Sequence, residues 1–278
     1  MSHFQTNTPV VMSFSNLDPS GSAGIQADIE TLASLGCHCT PVITSLWAKD
    51  TAELKEIVPV DPSLLIEQAR VILEDMPVKV IKIGHLGSIE NIEAIHSILS
   101  DYPNIDVVLD PVSTYSGDEE RSAMVMNQMN QAMESLLLPQ ATIITPDLVE
   151  AQNMGRQADT IDACAMEILE MGCENLLIAG TSRNQTSIEN RLYRQDGSKK
   201  SYQWERLGIV SHGSGSTLSA SIAAYLAHEL RMLDAVEQGQ NFTWHALAHS
   251  RQLGMGQRTP NRFYWADKNA SASSRKLQ

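Results

Sequence analysis

Short apolar runs alternate along this chain with longer stripes whose apolar residues recur at helical spacing, and few architectures accept that alternation. Pro9 to Phe14 reads as a buried strand, after which Ile25, Ile29, Leu32 and Ala33 form a helical face closed by Gly36. The run 41–48 (PVITSLWA) is the next strand, 62–75 a helix with proline at its start, and 78–84 (VKVIKIG) another strand. The cycle continues with a helix over 88–100, a strand over 105–110, a helix over 121–138 and a strand over 141–145. Helices over 147–154 and 161–171 and a strand over 175–179 complete it. This cadence predicts βαβ units, hence a mostly parallel sheet covered by helices on both faces.

Only 191–205 departs, because Asp196-Gly197 between alternating segments reads as a hairpin. Two helices are expected to finish the chain, over 216–229 and 232–254. No linker rich in Pro, Gly or Ser divides it, so residues 1–278 read as one domain. The chain is 42% hydrophobic, enough for a substantial core, and its formal net charge is −13. An acidic surface with no dense Lys/Arg block outside the Arg275-Lys276 tail excludes nucleic acid and anionic membrane as main partners.

The four cysteines (Cys37, Cys39, Cys164 and Cys173) show no pairing framework, which makes a reducing cytoplasm the simplest compartment. Cys37-His38-Cys39 lacks a second ligand pair at zinc spacing and reads as a helix-to-strand connection. The start of the chain has neither the charged segment nor the apolar core of a signal peptide, and no run approaches membrane-spanning length. A soluble cytoplasmic protein is expected.

The segment 212–229 (HGSGSTLSASIAAYLAHE) runs two glycines and several hydroxyl residues straight into a helix, with Leu218, Ile222, Tyr225 and Leu226 on one face. A helix start leaves backbone N–H groups unpaired and carries partial positive charge, and glycines at 213 and 215 remove the β-carbons that would hold a ligand away. The arrangement suits phosphate. On this segment alone a plain N-cap at Ser214 or Ser216 is the favoured reading, because Gly/Ser clusters precede many helices. No Lys follows the second glycine as in a Walker A loop, and Leu218 stands where a dinucleotide fingerprint needs its third glycine.

Six segments occur in order: 17–36 (LDPSGSAGIQADIETLASLG), 42–51 (VITSLWAKDT), 78–88 (VKVIKIGHLGS), 107–112 (VVLDPV), 144–151 (ITPDLVEA) and 211–224 (SHGSGSTLSASIAA). Together they resemble the hydroxymethylpyrimidine and phosphomethylpyrimidine kinases of thiamine biosynthesis, within the ribokinase-like superfamily; pyridoxal kinases are near neighbours. The resemblance implies a three-layer α/β sandwich and transfer of phosphate from ATP, with Mg²⁺, to the hydroxymethyl group of a small heteroaromatic ring or to its monophosphate. It also implies a homodimer. Gly213, Ser214 and Gly215 would then form the anion hole for the γ-phosphoryl group, and Ser216 would stand against the substrate hydroxyl. Asp28 corresponds to a residue of the pyrimidine pocket, and Asp110 and Glu150 to acids that organise Mg²⁺ around the phosphates. Both acids follow predicted strands, at the carboxyl edge where open α/β sheets bind ligands.

Several positions depart from the family pattern. Lys49 stands where Gln commonly contacts the pyrimidine, and an ammonium only donates where an amide also accepts; Asp50 is expected to offset part of its charge. His85 replaces a methionine lining the ring pocket, and Asn16 a glycine beside the substrate. Ala179 replaces a lysine near the nucleotide phosphates, and Asp147 an asparagine. Ser216 takes the place of Cys or Asp and is no base near neutral pH. Because positioning and charge stabilisation carry most of phosphoryl transfer, the loss of a base slows such a kinase without abolishing it. The departures leave two other readings, a catalytically impaired pyrimidine-binding homologue and a pyridoxal-type ring-alcohol kinase.

Overall fold

A computed structural model describes residues 8–112, 119–181 and 186–267. The chain start before residue 8 and the Arg275-Lys276 tail lie outside the described residues. In chain order the elements are β1 (Val10–Leu17), α1 (Gly24–Ser34), β2 (His38–Lys49), β3 (Leu54–Pro59), α2 (Pro62–Asp75), β4 (Val78–Ile83), α3 (Ile89–Asp101), β5 (Asp106–Leu109), α4 (Glu119–Leu136), β6 (Ile143–Ile144), α5 (Leu148–Met154), α6 (Ile161–Glu170), β7 (Asn175–Ile178), β8 (Ser187–Arg194), β9 (Lys199–Glu205), α7 (Ser214–Ala227) and α8 (Met232–Ala248).

All nine strands form one sheet in the order β3-β2-β1-β4-β5-β6-β7-β8-β9. Strands β2 to β7 of that order are parallel, whereas β3 at one edge and β8 and β9 at the other run antiparallel to their neighbours. The central strands are buried on both faces, which is why they appear in the sequence as unbroken apolar runs. On one face Leu65 of α2, Ile92 and Ile95 of α3, Met129 of α4 and Cys164 of α6 pack with Phe14, Ile81 and Ile144. On the other, Leu32 of α1, Leu218 and Ile222 of α7 and Val236 of α8 cover Val11, Val80 and Leu177. Each such side chain contributes roughly 1.5–3 kcal/mol on burial.

The expected three-layer α/β arrangement is what forms, with four differences. The edge strand β3 was not foreseen, because Lys55 and Glu56 give it the character of a loop. Expected to reach 254, α8 stops at Ala248, where Arg251 and Thr259 exchange backbone hydrogen bonds at 2.8 and 2.9 Å and turn the chain back. In α1 the buried face carries Asp28 and Thr31, while Ala33 is exposed. And α7 is not amphipathic: all nine residues from Ser216 to Ala224 are buried, because α1 and α8 sandwich the helix against the sheet.

Strand order reverses at β1: the chain passes from β1 outward to β2 and returns to β4 on its other side. A crevice opens at such a reversal, at the carboxyl ends of the strands. There the chain places Asn16 at the end of β1 and Asp18 just past it, Gly84 and His85 after β4, Asp110 after β5 and Asp147 after β6.

Candidate active site

Gly213 is the N-cap of α7, with φ 92°, and no side chain caps the helix. Ser214 and Ser216 are therefore not caps; they belong to the first turn. A β-carbon at 213 would lie 1.7 Å from the Ser22 carbonyl oxygen, so only glycine lets this turn pack against the loop before α1. Among the described residues the first bonded amide is that of Thr217, which donates to the Gly213 carbonyl at 3.0 Å. The amides of Ser214, Gly215 and Ser216 have no described acceptor, and Gly215 is exposed. The helix start is thus open, an arrangement that suits an anion.

Opposite the cradle stands Asp110. A β-carbon on Gly215 would sit 3.5 Å from one carboxylate oxygen of Asp110, and the Ser219 hydroxyl donates to the other at 3.1 Å. Behind it Lys82, fully buried, lies 3.8 Å from Asp110 and 3.0 Å from Asp28. Asp28 has no exposed surface, and it also accepts from the Ser13 hydroxyl at 2.7 Å. Burial pushes the Asp110 carboxyl up to about 6; Lys82 opposes that and Asp28 adds to it.

Glu150 joins Asp147 in a capping box: the Asp147 amide donates to Glu150 at 2.9 Å and the Glu150 amide to Asp147 at 2.8 Å. Burial first, then the charges of Asp110 and Asp147, push the Glu150 carboxyl up to about 8, against the pull of that backbone amide. The helix-capping and the electrostatic readings of Glu150 thus hold together.

On the other side of the crevice Asp18 is buried and accepts from the Ser20 amide at 2.9 Å, the Ser20 hydroxyl at 2.7 Å and the Ala23 amide at 3.1 Å. Lys49 approaches it to 3.5 Å with its side chain only 7% exposed, so Lys49 is not a solvated strand-end lysine. Its nearest counter-charge is Asp18, whereas Asp50 is turned to the amides of Ala52 and Glu53. His212, next to the cradle, places Nε2 3.6 Å from the same Asp18 carboxylate. Burial acts to raise the Asp18 carboxyl, but the bonds from His212 and Ser20 and the Lys49 charge together hold it down at about 2. Lys49 and Ser20 also line a cavity of about 410 Å³ with Thr51 and Met255.

His85 is buried edge-on against Trp47, ring centroids 4.9 Å apart, with Nδ1 3.3 Å from the Ser45 hydroxyl. Asn16 is buried with its Nδ2 unpaired, packed where a β-carbon on Gly24 would come within 2.9 Å. Ala179 pairs with Asp147 in an isolated parallel bridge.

Residues 18–261 match the phosphomethylpyrimidine kinase family. The chain belongs to that family. It is 30% identical to the hydroxymethylpyrimidine/phosphomethylpyrimidine kinase of Escherichia coli over 88% of this chain and 93% of that one. Among solved structures, a phosphomethylpyrimidine kinase from Clostridium difficile superposes with a TM-score of 0.72 at 26% identity, covering 86% of this chain and 100% of that one. The ADP complex of Bacillus subtilis pyridoxal kinase gives 0.84 at 25% identity, covering 93% and 99%.

For a phosphomethylpyrimidine kinase family member, then, the structure brings Gly213, Ser214, Gly215, Ser216 and Asp110 together. Glu150 lies close enough to feel the charge of Asp110, and Lys49 stands across the crevice beside His212. Sequence reasoning missed Lys82, Asp18, His212 and Arg262. Asp18 carried a signal, since Asp-Pro-Ser-Gly is a turn in which the aspartate bonds its own following amides. Lys82 carried none: inside VKVIKIG a lysine looks the same whether it faces solvent, as Lys79 does, or the core.

Proposed function

We propose that this protein is one kinase domain that transfers the γ-phosphoryl group of ATP to the hydroxymethyl group of 4-amino-5-hydroxymethyl-2-methylpyrimidine, to its monophosphate, or to both. The observation that carries this reading is the uncapped first turn of α7, whose unpaired amides open beside Asp110. Amides fixed by the fold stabilise charge on a transferring phosphoryl group without reorganising as the reaction proceeds. The acceptor oxygen, of the hydroxyl or of the monophosphate, attacks the γ-phosphorus, the bond to the β-phosphate oxygen breaks, ADP departs, and a hydroxyl acceptor's proton leaves to the transferred phosphoryl oxygens or to water. Ser216, buried in that turn, orients the acceptor but does not take its proton.

Asp110 and Glu150 fit Mg²⁺. Both are oxygen donors, and each carboxyl is pushed up by burial and by neighbouring negative charge that a divalent cation would offset. Among the described residues no third acid, His or Cys joins them, so the remaining ligands would be water and phosphate oxygens. Bound there, Mg²⁺ would neutralise charge across the phosphates.

Asp28, sealed against Lys82, supports the pocket from beneath, while Lys49, Asn16 and His85 line the acceptor side. The reading includes a cytoplasmic homodimer: the described cysteines are all free, and burial pushes the Cys37 thiol up to about 11 and Cys39 and Cys173 to about 12. No helix among the described residues is long and apolar enough to cross a membrane. A second reading, a pyridoxal-type kinase, draws support from the higher TM-score of the pyridoxal kinase.

A coupled assay of ADP release across hydroxymethylpyrimidine, its monophosphate and pyridoxal, with folded protein and Mg²⁺, tests both. Turnover with either pyrimidine supports the first reading, and turnover with pyridoxal alone moves the assignment to the second. Binding without turnover leaves a non-catalytic homologue.

A further inference from the structure

Arg262 is only 1% exposed and is the largest of the fully buried side chains. Burying a guanidinium costs several kcal/mol unless every edge is bonded, and an apolar residue of similar volume usually serves a core as well. Here every edge is bonded, and the partners come from three parts of the chain. Nε donates to the Thr217 hydroxyl at 3.0 Å. One terminal nitrogen donates to the Ser22 carbonyl at 2.5 Å. The other donates to Glu30 at 3.0 Å and to the Gly21 carbonyl at 3.4 Å.

The Thr217 hydroxyl in turn donates to the Gly213 carbonyl at 2.8 Å. The loop that carries Asp18 and the turn that opens toward Asp110 are therefore joined through one planar group. They also touch directly, since a β-carbon on Gly213 would lie 1.7 Å from the Ser22 carbonyl oxygen, and the guanidinium packs on the same spot, 2.9 Å from that β-carbon. Arg262 is itself anchored from outside, its carbonyl accepting from the Ser34 hydroxyl at 2.7 Å.

We propose that Arg262 is a positioning residue for phosphoryl transfer. It fixes the separation between the loop 18–24, on the acceptor side, and the anion turn 213–216, on the donor side, and touches neither substrate. This rests on the kinase reading above. Only a rigid fork can bond Thr217, Ser22 and Glu30 at once; a lysine is a point donor on a flexible stem and cannot. Each half of the site would still bind its own ligand without Arg262, but an ångström of slack between the halves is enough to slow transfer on the order of 10²-fold.

The test compares wild type with Arg262→Lys, Thr217→Val and the double variant, scaling rates to the active sites counted by ADP binding. The expected result is a fall in kcat of about 10- to 10²-fold in each single variant, with KM for ATP and for the acceptor within about threefold of wild type. The double variant should be no slower than Arg262→Lys alone, because both break one link. Unchanged kcat per active site, or a loss confined to KM, overturns the proposal. If Arg262→Lys does not fold, Thr217→Val, which leaves the bonds to Ser22 and Glu30 in place, decides alone. If wild type turns over none of the ring alcohols, the kinase reading fails. Amide exchange over 213–217 then tests Arg262 separately: faster exchange in the variants keeps it as the brace of the turn, and equal exchange removes it.

Discussion

The Lys82 ammonium lies 3.0 Å from the Asp28 carboxylate within the sheet layer, and neither side chain has any exposed surface. A buried pair of this kind adds little net stability against an apolar pair, but it is costly to break, because the surviving charge has no water to turn to. It also sets the field at Asp110, which Lys82 approaches to 3.8 Å.

Lys82→Met should therefore destabilise the protein by about 3–5 kcal/mol, as should Asp28→Leu, measured by urea unfolding. The double variant should lose clearly less than the sum, because neither residual charge is then stranded. Additive losses would show that the two side chains do not depend on each other.

The two glycines of the anion turn should respond in opposite ways. At Gly213, with φ 92° and the Ser22 carbonyl 1.7 Å from any β-carbon, alanine should cost about 2 kcal/mol or more. Gly215 sits inside the first turn of α7, where a β-carbon meets only Asp110 at ordinary distance, so Gly215→Ala should gain up to about 1 kcal/mol from helix propensity. That methyl group projects into the cradle, so kcat/KM should fall on the order of 10²-fold even as stability rises. Thermal unfolding beside initial rates checks both halves; Gly215→Ala with full activity would mean that the phosphoryl group binds elsewhere.

Much of this architecture was legible before any coordinates, and the reasons are local. Strands such as 105–110 and 141–145 announce themselves because burial on both faces leaves no polar alternation, and Asp110 stands out as the residue that closes the first of them. The glycine turn was less legible alone, since Gly/Ser clusters precede many helices, and only its place among the six ordered segments pointed to an anion site. Residues whose roles come from distant partners stayed hidden. Lys82 meets Asp28 from 54 positions away, and Arg262 meets Ser22 from 240 away. Likewise α8 overran in the sequence reading because Arg251 and Leu253 continue the helical pattern, and only the pairing of Arg251 with Thr259 ends it.

Asp18 gives a pH dependence with a definite sign. Its carboxyl is held down at about 2 from an ordinary 3.8, so its contribution is complete above about pH 4 and is lost as pH falls through 2. The advantage of wild type over Asp18→Asn in unfolding free energy should shrink by about 2 kcal/mol between pH 5 and pH 2. A constant difference across that window would mean that Lys49, His212 and Ser20 do not hold the charge of Asp18.

Under the proposed kinase reading Ser216 stands beside the acceptor, and its surroundings make its replacement informative. The side chain is 8% exposed in the first turn of α7, and its hydroxyl has no described hydrogen-bond partner, so nothing must be broken to exchange oxygen for sulfur. At a helix start a thiol ionises more readily than in water, although Asp110 across the cradle opposes this. Ser216→Cys should then act as a base where serine cannot, raising kcat by up to about 10², the lower end of what a positioned base supplies. The gain should grow with pH as the thiol ionises and should be absent from the wild-type profile. A folded Ser216→Cys variant no faster than wild type at any pH between 6 and 9 would show that proton removal at this position does not limit the reaction.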